Sequence, residues 1–131
     1  GGTAASASTR TASTRTPKAA SAGRVGRGAR AVLADLEAGR TVVLLIWDGK
    51  SADDRSVRRS VARLDRRGGK VRVHVTTLKR LSEYEAITKG VPITESPTVL
   101  VIDRKRRARV ISGLTVTAEI DDTIDRALRA S

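Results

Sequence analysis

The strongest constraint on the fold is a proline followed at once by an unbroken apolar run, Ser96-Pro97-Thr98-Val99-Leu100-Val101-Ile102-Asp103. Proline has no backbone N–H to donate to a sheet ladder, so it belongs at the start of a strand. Because the run after it has no polar alternation, we expect a strand that is covered on both faces. A second run of the same kind, residues 41–47, is the expected partner strand. Spacing leaves the isomer of the Ser96–Pro97 bond open, since roughly 5–6% of such bonds are cis in folded proteins.

Length and cysteine content limit the class of protein. The chain has 131 residues and no cysteine. That length suits one domain, and the lack of thiols excludes disulfides, thiolate catalysis, and zinc–cysteine or iron–sulfur sites. No apolar stretch reaches the roughly 18 residues of a membrane helix. The start Gly-Gly, without Met, is compatible with an excised domain of a longer protein, cytoplasmic or extracytoplasmic.

The positive charge is unevenly distributed. The formal net charge is +12, and residues 1–30 contribute six basic residues and no acid, which is half of that excess. Residues 1–28 are rich in Ala, Ser, Thr and Arg, so we predict a flexible basic linker before a domain at residues 29–131. Such a tail attracts polyanions, or it serves only to keep the protein soluble. Aromatic residues are limited to one Trp and one Tyr, which argues against recognition by base stacking.

The remaining hydrophobic patterns predict the order helix, strand, helix, strand, helix, strand, strand, helix. The expected helices cover residues 29–38, 51–67, 78–89 and a segment from 117 onward, and the other two strands cover residues 71–76 and 108–112. Strand–helix–strand units imply parallel pairing with right-handed crossovers, whereas the short link after residue 103 implies an antiparallel hairpin. The sequence therefore predicts an α/β fold with a four-stranded mixed central sheet and helices on both faces.

Local signals predict how several of these elements begin and where their side chains lie. Ser51 is a good N-cap, Asp54 gives it capping-box spacing, and Arg58 lies four residues further on, where it can pair with Asp54. Thr117 is the expected cap of the last helix, whose Ile120, Ile124 and Leu128 share a face. His74 falls on the solvent face of an alternating edge strand, so we expect a surface residue.

This order of elements, with these residues, resembles the thioredoxin fold over about residues 29–130. Three features carry the resemblance: a strand ending in Trp47 before a turn and a helix, the unit Ser96-Pro97-Thr98 that opens a strand, and a basic hairpin leading to a strand that ends at Gly113. Thioredoxins hold Cys-x-x-Cys in the strand–helix turn. The matching positions here are Ser51-Ala52-Asp53-Asp54, so both cysteines are replaced.

The resemblance implies a cis Pro97 and a groove beside it that receives an extended peptide. The loop at residues 90–95 is a residue or two longer than is common in the family, which bears on the shape of that groove. The resemblance thus indicates a redox-inactive binding or scaffold module for a protein or peptide partner, with no cofactor and no metal. Its candidate groove residues are Trp47, Asp48, Ser51, Asp54, Ser96, Pro97 and Thr98.

Other chemistry has weaker support in the sequence. Asp53 and Asp54, close to Asp48, suggest a carboxylate pair for acid–base work or a metal, but helix capping and dipole complementarity explain their positions without further assumptions. Ser51 has no evident base, because the only histidine is His74. The glycines at 23, 26 and 28 precede a helix but do not follow a strand, so the phosphate-binding fingerprint fails.

Two basic surfaces support the alternative function, nonspecific binding of nucleic acid or another anionic surface by contact with phosphates. Their other explanation is a solvated helix face and a charged hairpin that discourages edge pairing. The first surface is Arg55, Arg58, Arg59, Arg63 and Arg66, and the second is Arg104, Lys105, Arg106, Arg107 and Arg109.

Overall fold

The computed structural model describes residues 26–130. Most of the predicted linker, residues 1–25, lies outside the described residues. The helices are α1 (Arg27–Glu37), α2 (Ala52–Ala62), α3 (Glu85–Thr88) and α4 (Thr117–Ala130). The strands are β1 (Thr41–Trp47), β2 (Val71–Thr77), β3 (Thr98–Ile102) and β4 (Ala108–Ser112), and 3-10 turns occupy Arg67–Gly69 and Leu78–Tyr84.

The four strands form one mixed sheet in the order β2-β1-β3-β4. β1 pairs in parallel with β2 and antiparallel with β3, and β4 pairs antiparallel with β3. The two unbroken apolar runs are thus the central strands, and nearly every residue in them is buried. The predicted α/β architecture is confirmed, with alternating β2 at one edge.

Side-chain alternation along the central strands builds two cores, one on each face of the sheet. On one face, α2 and α4 cover Val43, Leu45, Val99 and Val101. On the other face, α1 and Tyr84 cover Val42, Leu44, Leu100 and Ile102. Helices therefore protect both faces, as expected.

Two predicted helices differ from the observed ones. α1 begins at Arg27, two residues before the prediction, and α2 ends at Ala62 rather than near residue 67. At the end of α2, the N–H groups of Arg63 and Leu64 bond three residues back, to the carbonyls of residues 60 and 61. Further along, the Asp65 side chain accepts the Arg67 N–H at 2.8 Å, and Arg67 has φ 50°, so the helix does not resume. Such local side-chain bonds compete with helix continuation.

The segment predicted as a helix over residues 78–89 is mainly a 3-10 turn, Leu78–Tyr84, followed by the single turn of α3. Its apolar residues are Leu81, Tyr84 and Ile87, spaced by three. In a helix with three residues per turn, residues three apart lie directly above one another, so Leu81 and Tyr84 are aligned in the 3-10 turn, and Ile87 follows in α3. Tertiary packing of Tyr84 thus favours the tighter helix.

The last helix differs in two details. Thr117 does not cap it, because α4 begins at Thr117 itself and the threonine hydroxyl donates instead to the Ser60 carbonyl at 2.8 Å. Leu128 is 36% exposed, and Ala127 takes the buried position beside Ile124. Among residues 26–130 there is no helix with both the length and the apolar character needed to cross a bilayer.

Candidate functional site

The turn between β1 and α2 positions the start of α2 at the carboxyl end of the central strand. Asp48 Oδ1 accepts the Lys50 N–H at 2.8 Å, and Gly49 takes φ 80°, a conformation that glycine adopts readily. Ser51 Oγ then accepts the Asp54 N–H at 3.0 Å, which confirms Ser51 as the N-cap. The helix start is therefore fixed by residues local to the turn.

Asp54 occupies a buried position beneath this turn. Its relative exposure is 1%, and its Oδ2 accepts a long hydrogen bond of 3.5 Å from Ser96 Oγ. The expected Asp54–Arg58 ion pair does not form. The Arg58 guanidinium instead lies 5.6 Å from the ring centre of Trp47, a cation–π contact on the outer face of α2.

The carboxyl groups of Asp54 and Asp48 shift each other's pKa in opposite directions. Burial raises the pKa of Asp54, and its hydrogen bond with Asp48 raises that pKa further. The same hydrogen bond, followed by the Lys50 N–H, lowers the pKa of Asp48. Asp54 Oδ1 has no hydrogen-bond partner among the described residues, so the ionised form of this carboxyl is poorly compensated, in agreement with its raised pKa. The sequence analysis suggested Asp53 as the carboxylate partner of Asp54, but Asp53 is exposed, and the carboxylate that affects Asp54 is Asp48.

The loop before β3 lies beside the Asp48–Asp54 pair. The Ser96–Pro97 peptide bond is cis, and the Pro97 carbonyl accepts the Gly113 N–H at 2.8 Å. Pro97 is buried, and Thr98 is 1% exposed with its hydroxyl donating to the Glu95 carbonyl at 2.8 Å. Of the candidate groove residues, Asp54, Pro97 and Thr98 are thus interior, whereas the solvent-accessible ones are Trp47, Asp48, Ser51 and Ser96.

Sequence reasoning missed two exposed apolar residues at this end of the molecule. Leu114 and Val116 are each 58% exposed and follow Gly113, the residue that bonds to Pro97. Their signal in the sequence was two aliphatic side chains in a segment assigned to neither strand nor helix. We define the Pro97 surface as Trp47, Asp48, Ser51, Ser96, Leu114 and Val116.

The arginine face of α2 is largely open to solvent. Arg55 donates to the Lys50 carbonyl at 3.1 Å, and Arg58 contacts Trp47. Arg59, Arg63 and Arg66 are exposed and make no ion pair within residues 26–130. This surface keeps the free cations that the sequence assigned to it.

The cations of the basic hairpin are less available for contact with phosphates than the sequence implies. Asp103, fully buried at the end of β3, accepts the backbone N–H groups of Lys105 and Arg107 at 2.9 and 3.0 Å. It also binds the Arg107 guanidinium at 3.1 Å, and Arg109 lies 3.8 Å from it. Arg106 is 3.9 Å from Glu37. Several hairpin cations therefore neutralise carboxylates of the fold itself.

Neither a metal site nor a serine nucleophile is assembled in the described part of the chain. There, no three His, Asp or Glu side chains gather in a way that would hold a metal ion. His74 is not a free surface residue: its Nε2 lies 2.7 Å from Asp35 Oδ2, beneath α1. It pairs in register with Leu44, on the sheet face opposite α2, so it does not reach Ser51.

The sheet order, the helices on both faces and the proline at the start of β3 define a thioredoxin-like fold. The structure is similar to Fasciola hepatica thioredoxin, with 18% identity, 75% of this chain and 89% of that chain covered, and a TM-score of 0.59. It is also similar to Trxlp from Edwardsiella tarda, with 12% identity, coverage of 72% and 91%, and a TM-score of 0.59. Chloroplastic thioredoxin z matches at 15% identity, coverage of 76% and 88%, and a TM-score of 0.53.

These similarities show the fold. No family model and no curated protein matches the sequence. The chain has no cysteine, so it lacks the Cys-x-x-Cys motif expected at the turn before α2.

Proposed function

We propose that this chain is a redox-inactive thioredoxin-like module that binds a protein partner through the Pro97 surface. Thiol–disulfide exchange proceeds by attack of a thiolate, and the chain has none. Ser51 serves as a helix cap and Asp54 is buried, so neither replaces a cysteine as an exposed nucleophile. We therefore infer that the Pro97 surface serves to bind a protein partner and not to carry out thiol chemistry.

The observation that carries the proposal is the exposure of Leu114 and Val116 next to the loop of Pro97. Exposed aliphatic side chains in isolation are ordinary, but these two follow Gly113, which is hydrogen-bonded to Pro97. Trp47 is half-buried and Asp48 is exposed at the same end of the sheet, where β1 ends. A central apolar contact with an aromatic residue and a polar rim is the usual composition of a protein interface.

The test is a selection from a displayed peptide library against the full chain, followed by affinity measurement with variants. Leu114→Ser is expected to weaken the selected peptides by about tenfold, the loss expected for a well-buried apolar contact. Leu128→Ser is the matched control, since Leu128 is exposed but lines a depression with Thr41, at the opposite end of β1. Equal losses in both variants, or no selected peptide, would contradict the proposal.

A second candidate function is nonspecific polyanion binding by α2. It is supported by the three exposed guanidinium groups of Arg59, Arg63 and Arg66, which have no ion-pair partner in the described part of the chain. For binding to a DNA duplex, each phosphate contact contributes about 0.9 to the slope of log affinity against log salt concentration. Replacing all three arginines by Gln is therefore expected to reduce the steepness of that slope by about 3. The control variant replaces Lys70, Arg72 and Lys79 by Gln and so removes the same charge from another part of the surface. An equal reduction of the slope in this control would show that net charge alone drives the binding.

A further inference from the structure

β4 forms one edge of the sheet, and its hydrogen bonds to β3 follow a regular ladder. It is the last strand in the sheet order, and residues 108–112 pair with β3 without a bulge. A backbone bond flanks each end of the ladder: the Gly113 N–H donates to the Pro97 carbonyl at 2.8 Å, and the Asp103 N–H donates to the Arg107 carbonyl at 3.0 Å. Because hydrogen-bonded and non-hydrogen-bonded pairs alternate along an antiparallel ladder, the odd-numbered residues of β4 are the ones that bond to β3.

The even-numbered residues of β4 therefore present their backbone to the open edge. The N–H and C=O groups of Ala108, Val110 and Ser112 point away from β3, and no further strand lies beside them in the described part of the chain. A row of such groups is a template for an additional strand. β4 contains no proline or glycine to interrupt the pairing, and its Val110 is 41% exposed. On the opposite edge, β2 has no exposed aliphatic side chain.

The hairpin at the start of β4 gives this edge an excess of positive charge. One buried carboxylate, Asp103, lies within 4 Å of two of the hairpin arginines, and Glu37 lies 3.9 Å from Arg106. Lys105 is exposed and makes no ion pair within residues 26–130. The cations of this end of the strand, which outnumber those two carboxylates, are Arg104, Lys105, Arg106, Arg107 and Arg109.

This charge decides which kind of strand the edge accepts. In a second copy of the chain, paired antiparallel about a two-fold axis at Val110, Arg109 of each copy would lie diagonally across from its equivalent, about 7–8 Å away along the ladder. That arrangement brings like charges together and adds no carboxylate to either hairpin. An extended acidic peptide instead gains the backbone ladder together with opposite charges.

We propose that β4 binds an extended acidic peptide of a partner protein as a fifth, antiparallel strand of the sheet. Backbone hydrogen bonds to residues 108–112 hold the peptide, which runs from Ser112 toward Ala108. An apolar side chain of the peptide lies across from Val110, and acidic side chains near its carboxyl end lie across from Arg109 and the hairpin. None of the paired residues belongs to the Pro97 surface, so this is a second interaction surface.

The test is a titration of the isotope-labelled full chain with the capped peptide Thr-Thr-Val-Glu-Val-Glu-Asp. Paired as proposed, this probe places its first Val across from Val110 and its first Glu across from Arg109. Saturable amide shifts and slower hydrogen exchange are expected at Ala108, Val110 and Ser112. A control peptide with Lys in place of the three acids is expected to show no saturable binding, because the hairpin repels it.

Two substitutions at one position test the backbone ladder. Val110→Pro removes an outward N–H without removing a bond to β3, and it is expected to weaken the acidic peptide by about tenfold. Val110→Thr is the matched control, because it keeps the N–H and the β-branched shape, and its affinity should stay within about threefold of the parent. Leu114→Ser should leave the affinity unchanged, since position 114 lies beyond the paired residues, so this test is separate from that of the Pro97 surface.

Three results would overturn the proposal. One is that the amides of residues 108, 110 and 112 in the free chain exchange as slowly as those of residues 109 and 111, which would show that another part of the chain or a second copy already covers the edge. A second is that the acidic peptide does not bind, or binds no better than the basic one. The third is full affinity in Val110→Pro. The first two results need no substitution in β4, so they decide the question even where Val110→Pro does not fold.

Discussion

Replacing Asp54 by Asn is expected to stabilise the protein above neutral pH. Asp54 is 1% exposed and one of its oxygens has no donor, so its ionised form is poorly accommodated beside Asp48. An Asn at this position donates from its amide to Asp48 and still accepts from the Ser96 hydroxyl. Leaving a buried polar group unsatisfied costs about 1–3 kcal/mol, and the adjacent exposed turn places Asp54 at the low end, so we expect a gain of about 1 kcal/mol.

The sign of the pH dependence follows from the direction of the pKa shift. Burial raises the pKa of Asp54, so the folded state holds its proton at pH values where the unfolded chain has released it. Stability therefore falls as pH rises from the unfolded pKa, about 3.9, through the raised folded value, and the loss persists above it. The lowered pKa of Asp48 acts in the opposite sense, but that group is exposed and screened by water.

The assay is urea unfolding followed by Trp47 fluorescence at pH 4 and pH 8. The Asp54→Asn variant should match the parent most closely at pH 4 and exceed it by about 1 kcal/mol at pH 8, or about 5 °C in melting temperature. Asp53→Asn removes the same charge from an exposed neighbouring position and should change stability by about 0.5 kcal/mol or less. If Asp54→Asn instead loses 1 kcal/mol or more at pH 8, the carboxylate is stabilised by the α2 dipole and the reasoning is refuted.

Two further substitutions test the packing. Gly28→Ala places a methyl group on the Tyr84 ring and should destabilise by about 1–3 kcal/mol in urea unfolding, whereas an unchanged midpoint would show that α1 shifts freely. Asp103→Ala removes a fully buried acceptor of the hairpin and should destabilise by about 2–3 kcal/mol, with faster hydrogen exchange at residues 104–107; unchanged exchange there would contradict the anchoring role.

Much of the fold was predictable because the residues of a strand themselves indicate which of its faces are buried. The runs at β1 and β3 have no polar alternation, which indicated strands covered on both faces, and the lengths of the connections decided parallel or antiparallel pairing. The Ser51 cap was predictable for the same reason, since the hydroxyl and the amide it accepts are three residues apart.

Contacts between distant residues were not predictable from pattern alone. Asp54 meets Ser96 across 42 positions and His74 meets Asp35 across 39, so neither pairing leaves a local signal. The prediction of an Asp54–Arg58 ion pair was wrong. Asp54 is buried and interacts with Asp48, whereas the Arg58 guanidinium lies over the ring of Trp47.

The sequence by itself determined the order of elements, the two central strands, the lack of thiol chemistry and the cap at Ser51, because each depends on residue type and short spacing. Tertiary structure alone decided which carboxylate lies near Asp54, that Arg107 and Arg109 lie against Asp103, and that Leu114 remains exposed. The physical reason is that the protonation, pairing and exposure of a side chain depend on its neighbours in space, which the chain brings together only on folding.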